Sequence, residues 1–142
     1  MVLVSPERIA SVMALMPLPH SFAELDEMVS KGLPKGALKA SIDHIHASAE
    51  DRKQLLYRII PEATYKRRRE SLSAEESGRV ERLARIFATA AYVWNSEEDA
   101  RAFLNTPHPM LEGRSPLDVS MTELGARRVE ELLWRLYYGI AA

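Results

Sequence analysis

The chain has 142 residues, of which 46% are apolar and 27% are charged, and its formal net charge is −1. Such a chain forms one domain or two small lobes that share a core, and its near-zero charge excludes a global field that would attract nucleic acid or a membrane. The absence of cysteine excludes disulfides and cysteine-based metal sites. Because the sequence lacks the layout of a signal peptide and no window approaches a membrane span, we expect a cytoplasmic protein without a membrane partner.

Helix punctuation runs through the first half of the chain, and no convincing strand interrupts it. Serine or proline at a cap position, followed by helical periodicity, predicts helix starts at Ser5, Ser21, Pro34, Ser48 and Pro61. The first helix is expected to include Met16 and to end at Pro17, because proline disfavours helical geometry in the residue before it. Ser21 and Glu24 have the spacing of a capping box, and Gly32 is the expected end of that helix.

The longest predicted helix follows a second capping box, formed by Ser73 and Glu76. Its apolar residues form two faces, the first with Val80, Leu83, Ala84, Phe87 and Ala91 and the second with Ile86, Ala90, Val93 and Trp94. A helix that is apolar on two faces lies at the centre of a core. We therefore predict an all-α fold built around this helix.

The last third of the chain combines several turn signals with one long final helix. Ser96 is predicted to cap a helix, Gly113 to turn the chain at positive φ, and Ser115 to cap a short helix that begins with proline. Thr122 is predicted to open the final helix and Gly139 to close it. The apolar stripe of this helix, which we interpret as core, is Val129, Leu132, Leu133, Leu136, Tyr137 and Ile140.

A basic segment lies between residues 52 and 69, where seven arginine or lysine residues accompany a single acidic residue, Glu62. Two short helices joined by a tight turn have the layout of a helix-turn-helix, in which the second helix faces base edges and flanking cations hold phosphates. Ile59 departs from this pattern, because it stands where such turns often carry glycine and a β-branched residue resists positive φ. The alternative is a solvated basic helix that balances acidic neighbours. The candidate DNA-binding residues are Arg52, Lys53, Glu62, Ala63, Lys66, Arg67, Arg68 and Arg69.

No pattern in the chain indicates catalysis, a metal site or a cofactor. His44 and His46 do not share a helix face, and His20 and His108 stand alone beside prolines, so the histidines lack the spacing of metal ligands. The acidic run that begins at Glu97 lies in a predicted first helical turn, where carboxylates favour the helix dipole. Since a phosphate loop and a Ser-His-Asp arrangement are also absent, we predict that the protein is not an enzyme.

The C-terminal segment combines arginine, tyrosine and a small apolar end. Arginine and tyrosine are enriched among the residues that dominate protein–protein interfaces, so we favour a binding surface here. The alternative is that the final helix contributes only core and that the last residues fray. The candidate binding residues are Arg114, Arg127, Arg128, Arg135, Tyr138, Gly139 and Ile140.

One long motif in this segment resembles a known family. It reads Thr106-Pro-His-Pro-Met-Leu-Glu-Gly-Arg-Ser-Pro-Leu-Asp118 and continues with Thr122-Glu-Leu-Gly-Ala-Arg-Arg-Val-Glu-Glu-Leu-Leu132. The motif is similar to the C-terminal toxin-binding domain of the Xre/MbcA/ParS-like antitoxins, and Thr64-Tyr65-Lys-Arg-Arg resembles the end of an Xre-type recognition helix. We therefore predict an N-terminal region at residues 1–71, with a helix-turn-helix at about 34–70, and a toxin-binding domain at residues 72–142.

The resemblance implies both partners and mechanism. The protein partner is a RES-domain toxin that consumes or transfers from NAD, and the antitoxin covers the NAD cleft of this toxin. The family also implies a homodimer that binds operator DNA and represses its own operon. Gly113, Arg114 and Pro116 match the fixed turn of the family motif. A second function stays open, in which the chain is a helix-turn-helix transcriptional regulator whose C-terminal domain mediates self-association or ligand binding.

Overall fold

The computed structural model describes residues 4–139. Within that range the fold is all-α, as predicted, and the only β-type pairings are two isolated bridges, Pro34 with Ser71 and His108 with Arg114. A short 3₁₀ turn spans Pro109–Leu111. The helices are α1 Pro6–Val12, α2 Phe22–Lys31, α3 Gly36–Ile45, α4 Ala49–Ile59, α5 Glu62–Arg67, α6 Ala74–Trp94, α7 Glu97–Leu104, α8 Pro116–Val119 and α9 Glu123–Tyr137.

The long helix α6 forms the centre of the fold. It packs against α1, α2 and α3 from the first half of the chain and against α7 and α9 from the second half. Both predicted apolar faces are buried over most of their length, since Phe87 is 1% exposed and Ile86 and Ala90 are fully enclosed, while Ala91 and Val93 are partly buried. Trp94, at the end of the second face, is 40% exposed. The central position of α6 is therefore confirmed, and its last turn reaches the surface.

Short polar side chains begin most of the helices. In each case the hydroxyl accepts a hydrogen bond from the backbone N–H three residues later, at Ser5, Ser21, Ser48, Ser73, Ser96, Ser115 and Thr122. These bonds satisfy amides that have no partner inside the helix. The capping box at Ser73 is complete. At α2 the carboxylate of Glu24 accepts from the amide of His20 at 2.7 Å, so the second half of the capping box predicted there is wrong.

The end of α1 also differs from the prediction. The helix stops at Val12, and Ala14 adopts a left-handed φ of 54°. The amide of Leu15 then donates to the carbonyl of Ala10, which closes the helix. The prolines at 17 and 19 restrict the residues before them to extended geometry, so the helix ends upstream of the first proline. Met16, which was predicted to lie within this helix, is consequently outside it and 85% exposed.

The final helix is buried along only part of its predicted stripe. Val129, Leu132 and Leu133 are enclosed, whereas Tyr137 is 45% exposed. The ring of Tyr137 packs beside Tyr92 at the rim of the core, with 5.6 Å between the ring centroids. The interpretation of Tyr137 as a core residue is therefore wrong, while Ile140 of the same stripe lies outside the described residues.

A backbone junction holds the loop between α2 and α3 against the segment that precedes α6. The amide of Lys35 donates to the carbonyl of Glu70 at 2.8 Å, and the amide of Leu72 donates to the carbonyl of Leu33 at 2.9 Å. A side chain at Gly32 would overlap the carbonyl oxygen of Leu72. The junction therefore fixes the residues that follow the basic segment.

The helices α8 and α9 approach each other closely at Gly125. A Cβ atom at this position would overlap the carbonyl oxygen of Val119 and crowd the hydroxyl of Thr122. Gly78, on α6, has open space around the equivalent point. Close packing therefore requires glycine at position 125 but not at position 78.

We expect Gly125→Ala to destabilise the protein by about 1–3 kcal/mol or more, because the backbone of α8 has to move to admit the methyl group. Gly78→Ala is the matched control and should stabilise α6 by up to about 1 kcal/mol, because alanine is the better helix former. Urea denaturation of the two variants measures both changes. Equal effects of the two substitutions would contradict the close approach of α8 and α9.

Candidate nucleic-acid and protein interfaces

The helices α4 and α5 form the predicted helix-turn-helix. Leu55 and Ile59 anchor α4 in the core, and Ile60, which begins the turn, is fully enclosed. No residue of α5 is fully buried. The rings of Tyr57 and Tyr65 contact each other edge to face across the two helices, with 6.4 Å between centroids. A helix anchored in the core by two residues thus precedes an exposed basic helix.

The turn between α4 and α5 needs no glycine. Ile59 is the last residue of α4, Ile60 is extended with φ −133°, and Pro61 has φ −51°. Since each of these φ values is negative, a β-branched residue is tolerated at this position. The departure at Ile59 from the usual pattern therefore leaves the two-helix geometry intact.

The predicted DNA-binding residues fall into two groups. Lys53, Arg67 and Arg69 are exposed, and no carboxylate among the described residues pairs with them. Ala63 is also exposed. The remaining members have partners: Arg52 donates to the carbonyl of His46 and lies 3.4 Å from Asp43, Lys66 pairs with Glu62 at 2.7 Å, and Arg68 pairs with Glu76.

Arg68 holds the end of α5 against the start of α6. Its guanidinium donates two hydrogen bonds to the carboxylate of Glu76, at 2.9 and 3.0 Å. The same carboxylate accepts from the amide of Ser73 at 2.8 Å, and its side chain is only 6% exposed. The hydrogen bonds from Arg68 hold the pKa of Glu76 below its usual value, although burial acts in the opposite direction. The pair therefore positions the basic segment on the core.

Arg58 joins α4 to the C-terminal helices. Its guanidinium lies 2.6 Å from the carboxylate of Asp118 on α8, and this hydrogen bond is the main cause of a lowered pKa at Asp118. Arg79 of α6 donates to the carbonyl of Ile59 at 3.2 Å. Sequence patterns alone did not identify the Arg58–Asp118 pair, because its two residues are 60 positions apart.

The predicted protein-binding arginines do not form one cluster. Arg128 and Arg135 line a shallow cavity of about 140 Å³ together with Met110, and each pairs with a neighbouring glutamate, at 2.8 and 3.0 Å respectively. Arg127 lines a different cavity, which it shares with Phe22. The remaining candidates lie at the two ends of this region: Arg114 in the turn before α8, and Tyr138 and Gly139 after α9.

Three exposed aromatic side chains, Trp94, Tyr137 and Tyr138, lie at the ends of α6 and α9, and we call them the aromatic surface. The three side chains are 40%, 45% and 56% exposed. Tyr137 and Tyr138 pack edge to face with 5.1 Å between centroids. Beside them is a cavity of about 440 Å³ lined by Trp94, Phe103 and Leu136 among others. Sequence reasoning included only Tyr138 in the binding surface, because helical periodicity assigned Trp94 and Tyr137 to the core.

Two of the four histidines have side-chain hydrogen-bond partners within the fold. His44 contacts Glu97 at 2.7 Å between Nδ1 and Oε1, and His108 accepts from the amide of Met110 at 3.0 Å. Between residues 4 and 139, acidic and histidine side chains form no group of three that could hold a metal ion. Over the same part of the chain, no helix combines the length and hydropathy needed to cross a bilayer.

This arrangement, a helix-turn-helix fastened to a second helical unit, defines the class of protein. Residues 24–85 match the model of the antitoxin Xre-like helix-turn-helix domain, and residues 89–139 match that of the antitoxin Xre/MbcA/ParS C-terminal toxin-binding domain. The two matched segments together cover most of the chain, and the chain belongs to the Xre/MbcA/ParS antitoxin family. The match to the first model ends and the match to the second begins within α6, so the predicted domain boundary at residue 71 stays a prediction.

A curated relative supports the same family. The chain is 34% identical over 84 residues to a protein of Pseudomonas putida named antitoxin Xre. The similarity covers 57% of this chain and 53% of the relative, so it spans about half the length of that protein.

Replacing Arg68 with methionine should lower the free energy of unfolding at pH 7, because Glu76 loses two charged hydrogen bonds in a buried position. The folded-state pKa of Glu76 is lowered, so the contribution of the pair is complete above the usual glutamate pKa of about 4.3 and is lost as pH falls through the folded-state value. Urea denaturation between pH 7 and pH 3 checks both statements. Arg69→Met is the control, because Arg69 is exposed. A cost that persists unchanged at pH 3 would contradict the ion pair.

Proposed function

We propose that this chain is the antitoxin of a RES-domain toxin and that it blocks the NAD-consuming site of this toxin by covering it. The observation that carries the proposal is the aromatic surface at the ends of α6 and α9. All three side chains of this surface lie within residues 89–139, the part of the chain that matches a toxin-binding domain. Large aromatic side chains supply most of the binding energy in such interfaces.

Two arginines on the same helix extend this surface. Arg128 and Arg135 are half-exposed, and their glutamate partners Glu112 and Glu131 are more exposed still. Exposed ion pairs of this kind contribute about 0–1 kcal/mol, so they exchange partners at little cost. Acidic groups on a toxin compete for these guanidinium groups, and the aromatic side chains exclude water from the new pairs.

The mechanism needs no chemistry from the antitoxin. The end of α9 occupies the cleft of the toxin that has to remain open to admit NAD. The degree of inhibition is then proportional to the fraction of toxin molecules that have antitoxin bound. Gly139 adopts a left-handed φ of 71°, which ends the helical geometry of α9. Ile140 belongs to the proposed contact set, and removal of residues 140–142 should weaken inhibition.

Joint replacement of Arg135 and Tyr138 with alanine is expected to weaken toxin binding at least about 30-fold, since the loss of one hot-spot residue costs about 2 kcal/mol or more. Titration calorimetry of the variant with the purified RES-domain toxin measures the change in affinity. The rate of NAD consumption by the toxin in the presence of the variant measures the change in inhibition. Leu124→Ala is the control, because Leu124 is a 71% exposed apolar residue at the other end of α9. Unchanged inhibition by the double variant would show that another surface covers the toxin.

The second part of the proposed function is repression of the operon by a homodimer bound to operator DNA. The match of residues 24–85 to a helix-turn-helix domain and the exposed cations of the basic segment support it. An alternative is a transcriptional regulator in which the aromatic surface binds a second copy of the chain. Sedimentation of the wild-type chain and of the variant with alanine at Arg135 and Tyr138 distinguishes the two functions. In the alternative, the variant should self-associate more weakly than the wild type, because the aromatic surface binds the second copy.

Replacing Lys66, Arg67 and Arg69 with alanine should reduce operator affinity and flatten its dependence on salt by nearly one logarithmic unit for each lost phosphate contact, about two in all for Arg67 and Arg69. Electrophoretic or fluorescence titrations at several salt concentrations measure this slope. Replacement of Arg127, Arg128 and Arg135 removes the same charge from the C-terminal half and serves as the control. An equal loss of slope in both variants would contradict a specific role of α5.

A further inference from the structure

Glu62 is the one acidic side chain of the basic segment, and its position is unusual for a helix that approaches DNA. It lies on the first turn of α5, and its side chain is 51% exposed. Its carboxylate accepts a hydrogen bond from Lys66 at 2.7 Å. This hydrogen bond lowers the pKa of Glu62, and the charges of Lys66 and of Lys53 on α4 act in the same direction. Glu62 is therefore ionised on the exposed face of the helix.

An ionised carboxylate between two strands of phosphates is repelled unless it accepts a hydrogen bond from the DNA. In the major groove only cytosine N4 and adenine N6 donate from base edges. Adenine places its N7 acceptor beside N6, where it would face the second carboxylate oxygen. Cytosine presents N4 without an adjacent acceptor on the same base, so a glutamate favours cytosine.

Lys66 completes the complement of one base pair. Residues four apart share a helix face, so Glu62 presents acceptors next to the three donors of Lys66. A C·G pair presents the opposite pattern in the major groove, with the cytosine N4 donor beside the guanine O6 and N7 acceptors. Ala63 is small and exposed, so its methyl side chain leaves room for the base edge.

We propose that Glu62 and Lys66 together read a single C·G base pair of the operator half-site. Glu62 accepts a hydrogen bond from cytosine N4, and Lys66 donates to guanine O6 or N7. This assignment rests on the proposed DNA binding and makes Glu62 a residue that determines specificity. The simpler alternative is that Glu62 only stabilises the first turn of α5 through the helix dipole and its pair with Lys66.

The chain contains a matched control for that alternative. Glu75 lies in the first turn of α6, and it pairs with Arg79 at 2.9 Å at the same i, i+4 spacing. Its side chain is 81% exposed. Glu75→Gln therefore changes a helix-stabilising carboxylate of the same kind outside the DNA-reading helix.

The experiment uses the full chain and a library of randomised duplexes. Wild-type protein is expected to select cytosine at one position of each half-site. Titration with duplexes that differ at this position should show about a 5- to 150-fold preference for cytosine, the range of a good base contact. Glu62→Gln should lose this preference and shift it towards adenine at this position alone, because glutamine pairs with adenine N6 and N7. Lys66→Met should reduce discrimination at the same position, and Glu75→Gln should change nothing.

Each other result overturns the assignment. If Glu62→Gln keeps the cytosine preference of the wild type, Glu62 serves only helix stability. If Glu62→Gln and Glu75→Gln weaken binding to all duplexes equally, the carboxylate does not read a base. If the wild-type chain binds no duplex, the assignment fails together with the proposed DNA binding. If the wild-type chain binds DNA but Glu62→Gln keeps the same base preference, only the assignment fails and the proposed DNA binding stands.

Discussion

The buried carboxylate of Glu76 is the group on which the placement of the basic segment depends. It accepts from the amide of Ser73, which starts α6, and from the guanidinium of Arg68, which follows α5. A buried carboxylate needs several such donors, because ionised groups are costly to remove from water. Lys35 adds a second contact through its hydrogen bond to the carbonyl of Arg68 and its position 4.3 Å from the ring centre of Tyr65. The exposed helix α5 thus has a defined orientation on the core, although it buries little of its own surface.

The helix α6 makes one structural body of the two segments that family models describe separately. Contacts outside α6 reinforce this unity, since Arg58 pairs with Asp118 and the carboxamide of Asn105 donates to the carbonyl of Ile45. A fragment that contains only one of the two segments would expose faces of α6 that are buried in the intact protein. Such exposure costs a free energy of about 25 cal/mol for each Å² of apolar surface. The proposed DNA-binding and toxin-binding surfaces are consequently held at a fixed relative orientation.

The features predicted correctly from sequence depend on short-range chemistry. Each serine or threonine cap involves a residue only three positions away, and the two apolar faces of α6 follow from one helical period. The errors at Met16 and Tyr137 occurred where periodicity was extended beyond the point at which the core covers the helix. The Arg58–Asp118 pair had no local signal, because tertiary packing alone brings its two residues together. Trp94 and Tyr137 were left out of the predicted binding surface for the same reason, since the exposure of a side chain depends on where neighbouring helices end.

The structure also changes what the seven cations of the basic segment mean. Arg52, Arg58 and Arg68 are engaged with acidic or carbonyl groups of the fold, so the charge available to DNA is smaller than the sequence count. The available cations are concentrated on α5 and the exposed side of α4, while the whole chain has a net charge of −1. The remaining surface is therefore acidic on balance. In the proposed complex with DNA, such a charge separation would orient the approaching protein, because the field of the DNA attracts the α5 face and repels the rest.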